Sequence, residues 1–285
     1  MQLRTMTAED IPAGMRLKEI SGWNQTAVDW KRFLSASLKG CFVVEVDGMV
    51  RGTAATISYE GKFAWVGMVL VDPQYRGKGI GTKLLERAIA YLDEAEIPTI
   101  KLDATPQGKP LYEKLGFVTE YEIERLVLKR PAPSSAVSRH LVAREFITDT
   151  QLKAIFDRDR EIFGADRSGL LQTLQSDAPE FTVAVWRNGE PDGYAFGRHG
   201  SFADQLGPWV ATEEKVCQDL LETFLPRCNR ESVVVDCLKA HPIAGALLRA
   251  AGFNYSRPLT RMYRGTNQSS GKTESLCAIL GPEFG

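Results

Sequence analysis

Hydrophobic positions along the chain switch between two periods. Lys62-Phe63-Ala64-Trp65-Val66-Gly67-Met68-Val69-Leu70-Val71 is an apolar run rich in β-branched and aromatic residues. That is the pattern of a strand buried on both faces, and Asp72-Pro73 ends it. The turn Arg76-Gly77-Lys78-Gly79-Ile80-Gly81-Thr82 follows. Leu84, Leu85, Ala88, Ile89 and Leu92 then mark one face of a helix over about 79–94. Upstream, Gln2-Leu3-Arg4 begins a short strand. Thr7 and Asp10 have the spacing of a capping box for a helix through about Ile20, and a second helix runs from Val28 to about Leu38. Segments 41–46 and 50–58 flank the hairpin signal Asp47-Gly48 and, with 63–71, make an antiparallel meander. Thr99–Asp103 supplies the next strand, and Lys109 to Leu115 a helix closed by Gly116. Residues 117–128 read as a strand pair, broken near Glu120, that completes the sheet.

Pro131-Ala132-Pro133-Ser134-Ser135-Ala136 reads as a linker over 131–139. Beyond it, His140 to Glu145 reads as a new first strand. Thr148 and Gln151 form a second capping-box pattern before a helix to Phe163. The second half repeats the first. Thr105-Pro106 followed by Gly116-Phe117 recurs as His241-Pro242 followed by Gly252-Phe253, both at a spacing of 136, and Leu84-Leu85 maps to Leu220-Leu221 by the same shift. A hairpin around Asn188-Gly189 matches the one around Gly48. Duplication is the simplest account: one domain over 1–130, a second over 140–264, and a tail over 265–285. Residues 265–273 approach a nucleotide-loop spacing but carry one residue too many and no strong helix after it.

Length allows two domains, each with its own core. The net charge of -1 gives no reason to expect nucleic acid or an anionic membrane as a partner. No apolar stretch has the length of a membrane helix and the start has no signal-peptide pattern, so the expected location is the cytoplasm. The five cysteines form no Cys-x-x-Cys pair and read as reduced. With only His140, His199 and His241 beside them, no metal site is expected.

The glycine turn carries the chemistry. Glycines let the backbone approach a ligand, the first NH groups of a helix have no partner within it, and the helix dipole favours negative charge there. Arg76 and Lys78 add positive charge, so the expected ligand carries phosphate. Neither the nucleotide P-loop nor the dinucleotide spacing is present; the plain alternative is a tight turn with spare glycines.

The turn and the downstream segment Leu111-Tyr112-Glu113-Lys114-Leu115-Gly116-Phe117 resemble the two signatures of the GCN5-related N-acetyltransferases (GNAT). Arg76, Gly79 and Gly81 match the family's Gln/Arg-x-x-Gly-x-Gly/Ala loop. The resemblance implies an α/β (α+β) fold class: two tandem GNAT folds, each a mixed, mostly antiparallel sheet flanked by helices. It also implies acetyl-CoA as cosubstrate, bound by Arg76, Gly77, Lys78, Gly79, Ile80, Gly81 and Thr82. The backbone of Val69, Leu70 and Val71 would hold the pantetheine arm, with Tyr112 near the sulfur. Trp23, Asn24, Gln25 and Trp30 fall where the family borders its acceptor pocket; the alternative is core packing by the tryptophans and capping by the polar groups.

Applied to Arg76, Gly77, Lys78, Gly79 and Gly81, the repeat spacing lands on Thr212, Glu213, Glu214, Lys215 and Cys217. Tyr112 lands on Leu248. Two carboxylates facing phosphate repel it, so the second copy is expected to lack a coenzyme site. Asp166 and Arg167, in its acceptor-side loop, either read a charged substrate or form a capping and salt-bridge cluster.

Transfer of an acetyl group from a thioester to an alkyl ammonium needs a base for the nitrogen and an acid for the leaving thiolate. By resemblance Tyr112 is the acid; packing beside Leu111 and Leu115 is the alternative. Strand 63–71 has no carboxylate, which leaves Glu60, Asp103 or a water relaying to them as base. The expected activity is N-acetyl transfer to a primary amine by direct attack in a ternary complex. The expected acceptor is a small molecule, with an amino acid or a protein terminus as other options. A non-catalytic acyl-CoA-binding protein is the rival class. Fusion of two copies makes a monomer the expected state.

Overall fold

Asp47-Gly48, Glu60-Gly61 and Asn188-Gly189 each place two successive residues at positive φ, the backbone that closes two-residue hairpins between twisted strands. These turns set the register of both meanders. The structure is a computed structural model that describes residues 1–130 and 147–285. The expected linker at 131–139 and the strand expected at 140–145 lie outside the described residues.

The elements are β1 (Gln2–Thr5), α1 (Ile11–Ile20), α2 (Ala27–Ala36), β2 (Cys41–Val46), β3 (Met49–Tyr59) and β4 (Phe63–Val71), then α3 (Ile80–Glu94), β5 (Thr99–Ala104), α4 (Lys109–Lys114) and β6 (Val118–Lys129). After the undescribed stretch come α5 (Asp149–Phe163), α6 (Ser168–Asp177), β7 (Val183–Arg187), β8 (Glu190–His199), β9 (Asp204–Val210), α7 (Glu214–Phe224), β10 (Ser232–Leu238), α8 (Ala244–Ala250), β11 (Asn254–Gly265) and β12 (Leu276–Ala278). Both expected capping boxes are made: Thr7 N donates to Asp10 Oδ2 at 2.9 Å, and Thr148 N to Gln151 Oε1 at 2.9 Å.

Two compact units result, and they cross the division expected at 130 and 264. The first comprises Met1–Tyr121, Thr260–Ser269 and Pro282–Gly285; the second comprises Glu122–Leu259 and Ser270–Gly281. In the first unit β1 to β4 form the antiparallel meander, and β4 meets β5 in parallel. The α3 face of Leu84, Leu85, Ala88 and Leu92 packs with Phe42, Val66 and Ile100 into the core. The strand that completes this sheet is not 117–128, as the sequence order suggests. It is the 260–265 part of β11, antiparallel to β5 with Arg261 opposite Asp103.

The second unit mirrors this exchange. Its meander is β7 to β9, β9 runs parallel to β10, and the 123–129 part of β6 lies antiparallel to β10. The expected break near Glu120 is absent, since β6 is one continuous strand. A duplicated ion pair fastens each exchanged strand. Arg261 donates to both oxygens of Asp103 at 2.9 and 2.8 Å, and Arg125 to both oxygens of Asp236 at 2.7 and 2.8 Å. The two arginines stand at the repeat spacing of 136. Removing one member of such a buried pair costs roughly 3–5 kcal/mol, because the partner charge stays buried.

Candidate active site

The end of β4 is pinned before the glycine turn begins. Asp72 accepts hydrogen bonds from Arg51 at 2.9 Å, from Arg16 at 3.2 Å and from the Gln74 backbone at 3.2 Å. Burial pushes its carboxyl up, but these bonds outweigh burial and hold it below the usual carboxylate value. Arg76 folds back to donate to the Val71 carbonyl at 3.3 Å, and Lys78 lies over the Tyr75 ring at 4.5 Å. Gly77 and Gly79 have φ of 73° and 79°, a left-handed backbone that favours glycine, and Gly79 caps α3. The α3 first turn carries no acidic residue. Loop residues 76–79 are exposed, so two cations stand in solvent beside the α3 start, whose first NH groups have no partner within the helix.

Beside this loop the sheet opens. β4 pairs with β5 at Ala64–Ile100 and Trp65–Lys101, and the described pairing goes no further although both strands continue. Val66, Gly67, Leu70 and Val71 therefore keep β3 partners on one edge, while the described pairing leaves the other edge without a strand partner beyond Trp65. At the same level the β3–β4 register shifts, Met68 takes φ 55°, and Thr53 Oγ1 donates to the Met68 carbonyl at 2.8 Å. Such a bulge turns a strand and re-aims its backbone groups. Gly81 sits where the elements converge: a side chain there would meet Val71 at 3.6 Å and Leu111 at 3.8 Å. Val69, Val71, Leu111 and Tyr112 thus surround one core from β4, the α3 start and α4. Tyr112 packs edge-on against Phe117 at 6.0 Å, and burial pushes its phenol up to about 12. It carries a proton throughout the neutral range and can donate one.

The remaining predicted residues are placed differently. Asp103 is gripped by Arg261, which also contacts Tyr121 Oη and lies over the Trp65 ring at 4.4 Å. Glu60 sits in the β3–β4 hairpin turn, paired with Lys62 at 3.0 Å. Each carboxylate is held by a basic side chain. Trp30 is fully buried and its ring fills the space beside Gly14, so it belongs to the core rather than to an acceptor surface. Trp23 is half-buried, Asn24 and Gln25 are buried, and Gln25 Nε2 donates to Glu283 at 2.8 Å. In the second unit Arg167 is buried, donates to Asp159 at 2.8 and 3.0 Å and stacks on Phe163, while Asp166 caps Ser168 N at 2.7 Å. That is the salt-bridge and capping alternative, with the Arg167–Asp159 pair buried and Asp166 exposed.

Two sequence profiles described as the acetyltransferase (GNAT) domain match the chain, over residues 37–119 and 155–278, and together they span more than half of it. The chain belongs to the GNAT family of acetyltransferases. It is a tandem GNAT protein. Holothin acyltransferase from a Pseudoalteromonas species is 26% identical over 270 residues, covering 92% of this chain and 87% of the relative. The uncharacterized N-acetyltransferase YitH of Bacillus subtilis is 28% identical over 195 residues, 68% of this chain and 67% of its own. A solved Pyrococcus horikoshii structure superposes with a TM-score of 0.79 at 21% identity, covering 100% of this chain and 95% of that one. A GCN5-related N-acetyltransferase from Sphaerobacter thermophilus gives 0.66 at 20% identity, covering 93% and 95%.

The second GNAT copy has lost the loop and filled the cleft. Residues 211–213 alone join β9 to α7, where 72–79 join β4 to α3. Glu213 caps α7 and pairs with Arg187, and Glu214 occupies the first turn. β9 and β10 pair at 204–206 with 233–235 and then part, as β4 and β5 do. Here β12 lies in the gap, with Leu276 opposite Val210 and Ala278 opposite both Trp209 and Cys237. The residues read as a tail are therefore structural: from Leu276 to Gly285 all but Pro282 are buried. Among the described residues no His, Cys, Asp and Glu group could hold a metal ion, and no helix is long and apolar enough to cross a membrane.

Proposed function

We propose that the N-terminal GNAT copy binds acetyl-CoA and transfers its acetyl group to the primary amine of a small molecule by direct attack in a ternary complex. The observation that carries this reading is the parting of β4 from β5 beside a left-handed glycine loop at the start of α3. The unpaired β4 edge offers backbone groups of Val69 and Val71 to an extended, amide-bearing arm, and Arg76, Lys78 and the 77–82 backbone offer positive potential to a pyrophosphate. When bound, the coenzyme supplies an activated thioester. Tyr112 donates to the leaving sulfur, while Ile80, Leu84 and Leu85 hold α3 against the sheet so that the loop keeps its shape. A relative aligned over nearly its whole length and named for acylating holothin supports a small-molecule acceptor. The second copy has acidic residues at its α7 start and β12 in its cleft, so the protein takes one coenzyme per chain and works as a monomer.

Calorimetric titration with acetyl-CoA is expected to give one site, and a screen of small primary amines is expected to yield acetylated product. Tyr112→Phe is expected to lower kcat by roughly 10²–10⁴-fold with coenzyme affinity unchanged. An unchanged kcat removes Tyr112 as the acid. Binding without transfer in either form favours the non-catalytic coenzyme-binding reading.

A further inference from the structure

Acyl transfer to an ammonium needs a proton acceptor beside the attacking nitrogen, and β4 offers none: Phe63–Val71 contains no carboxylate. Asp103 and Glu60 are each engaged by a basic side chain. A residue that carries a carboxylate does lie against the right stretch of β4, from the far end of the sequence. Residues 282–285 belong to the first unit and lie along β4. Trp65 Nε1 donates to the Pro282 carbonyl at 2.9 Å and Tyr59 Oη to the Phe284 carbonyl at 2.7 Å, and Phe284 stacks on Phe33 with ring centroids 4.7 Å apart. The Glu283 backbone rests against Gly67 so closely that a β-carbon on Gly67 would stand 2.6 Å from the Glu283 carbonyl oxygen. Gly67 also pairs with Ala55 where the β3–β4 register shifts.

Direction along the strand fixes which end of the coenzyme this is. If the pyrophosphate sits at loop 76–82, after the C-terminal end of β4, an extended arm runs back past Val71 and Val69. The thioester then falls toward Met68 and Gly67. Glu283 lies at that level. The residue is 2% exposed and Gln25 Nε2 donates to Oε2 at 2.8 Å, which holds the carboxylate in a site that excludes water.

We propose that Glu283 is the general base of the N-terminal copy and that Gln25 positions it; this rests on the acetyl-transfer reading above. One proton passes from the acceptor ammonium to a Glu283 carboxylate oxygen. The freed nitrogen lone pair forms the C–N bond at the thioester carbonyl. The C–S bond breaks with its electron pair on sulfur, which takes the Tyr112 phenol proton. The second nitrogen proton restores Tyr112 as the amide forms, and Glu283 releases its proton to solvent. Ammonium and thioester become amide, thiol and one released proton.

The test compares wild type, Glu283→Gln and Glu283→Asp with two probe acceptors, benzylamine, which is an ammonium at neutral pH, and aniline, which is already neutral. Thiol release from acetyl-CoA is followed, and acetyl-CoA binding is titrated in parallel. Glu283→Gln is expected to lose roughly 10²–10⁴-fold in kcat toward benzylamine and far less toward aniline, with coenzyme affinity retained and Glu283→Asp intermediate. Equal losses toward both amines, or no loss, overturn the proposal. If wild type acetylates neither probe, acetyl-CoA hydrolysis is read, since water needs the same base, and equal rates in wild type and Glu283→Gln overturn it. Failure of the acetyl-transfer reading looks different, because the wild type then either does not bind acetyl-CoA or binds it and releases no thiol to any acceptor, water included.

Discussion

The two copies share a sheet plan, a pair of parting parallel strands and a buried Asp–Arg lock, yet they treat the gap between the strands in opposite ways. In the first, β4 keeps an open edge next to a long glycine loop. In the second, the connection shrinks to 211–213 and β12 takes the gap, bonding on both sides. Ala211 N donates to the Ser275 carbonyl at 3.0 Å and Ile279 N to the Asp236 carbonyl at 3.0 Å. An unpaired strand edge inside a protein is costly unless something satisfies it. On the function proposed above, one copy leaves that edge for a ligand; the other closes it with its own chain. The difference teaches that a parted strand pair alone is scaffold, and that loop and neighbouring chain decide whether its edge stays open.

The comparison breaks most visibly at the loop. Gly79→Glu puts a side chain on a backbone at φ 79° and a carboxylate at the α3 start, imitating Glu213. Acetyl-CoA affinity is expected to fall by more than about 100-fold, since strain and repulsion each contribute about 1–3 kcal/mol. Calorimetry checks it, and a remaining site would place binding in the second copy. A smaller effect is expected at Gly207, where a β-carbon would stand 2.0 Å from the Ile279 carbonyl oxygen. Gly207→Ala forces the segment after β12 off β9 and is expected to cost roughly 1–3 kcal/mol of stability in denaturant unfolding, with coenzyme affinity at the first copy unchanged. Unaltered stability would mean that β12 is not held as described.

The smallest effect is expected at Asp72, which has no counterpart in the short second loop. Its folded value is held below the unfolded value near ~3.9, so its contribution is fully present above that pH. The contribution is lost as pH falls through the lower folded value. Asp72→Asn is expected to lose about 1 kcal/mol at neutral pH and to flatten the acid end of the stability profile. Unfolding midpoints measured from neutral to acid pH check both.

Much of this was legible in residue order. The hairpin dipeptides, the α3 face, the capping boxes, the glycine loop and the repeat spacing are local patterns, and each forms where the sequence places it. The candidate base was not legible, because Glu283 is 216 positions from Gly67 in sequence and follows no periodic segment. For Trp30 the sequence leaves pocket and core both open, because an aromatic among polar groups gives the same pattern whether it faces a ligand or the space beside Gly14. The strand exchange was hidden for a related reason. β6 and β11 have equivalent patterns at the repeat spacing, so either strand suits either sheet edge by composition.

The sequence by itself determined the local elements, the duplication and the loss of the anion loop in the second copy, since these depend on backbone preferences and charges close together in the chain. Tertiary structure alone decided which strand completes which sheet, that β12 fills the gap in the second copy, and that residues 282–285 lie against β4. Those outcomes depend on which distant segment satisfies an open edge or an apolar hollow, and hydrogen bonding and burial settle that only once the chain has folded.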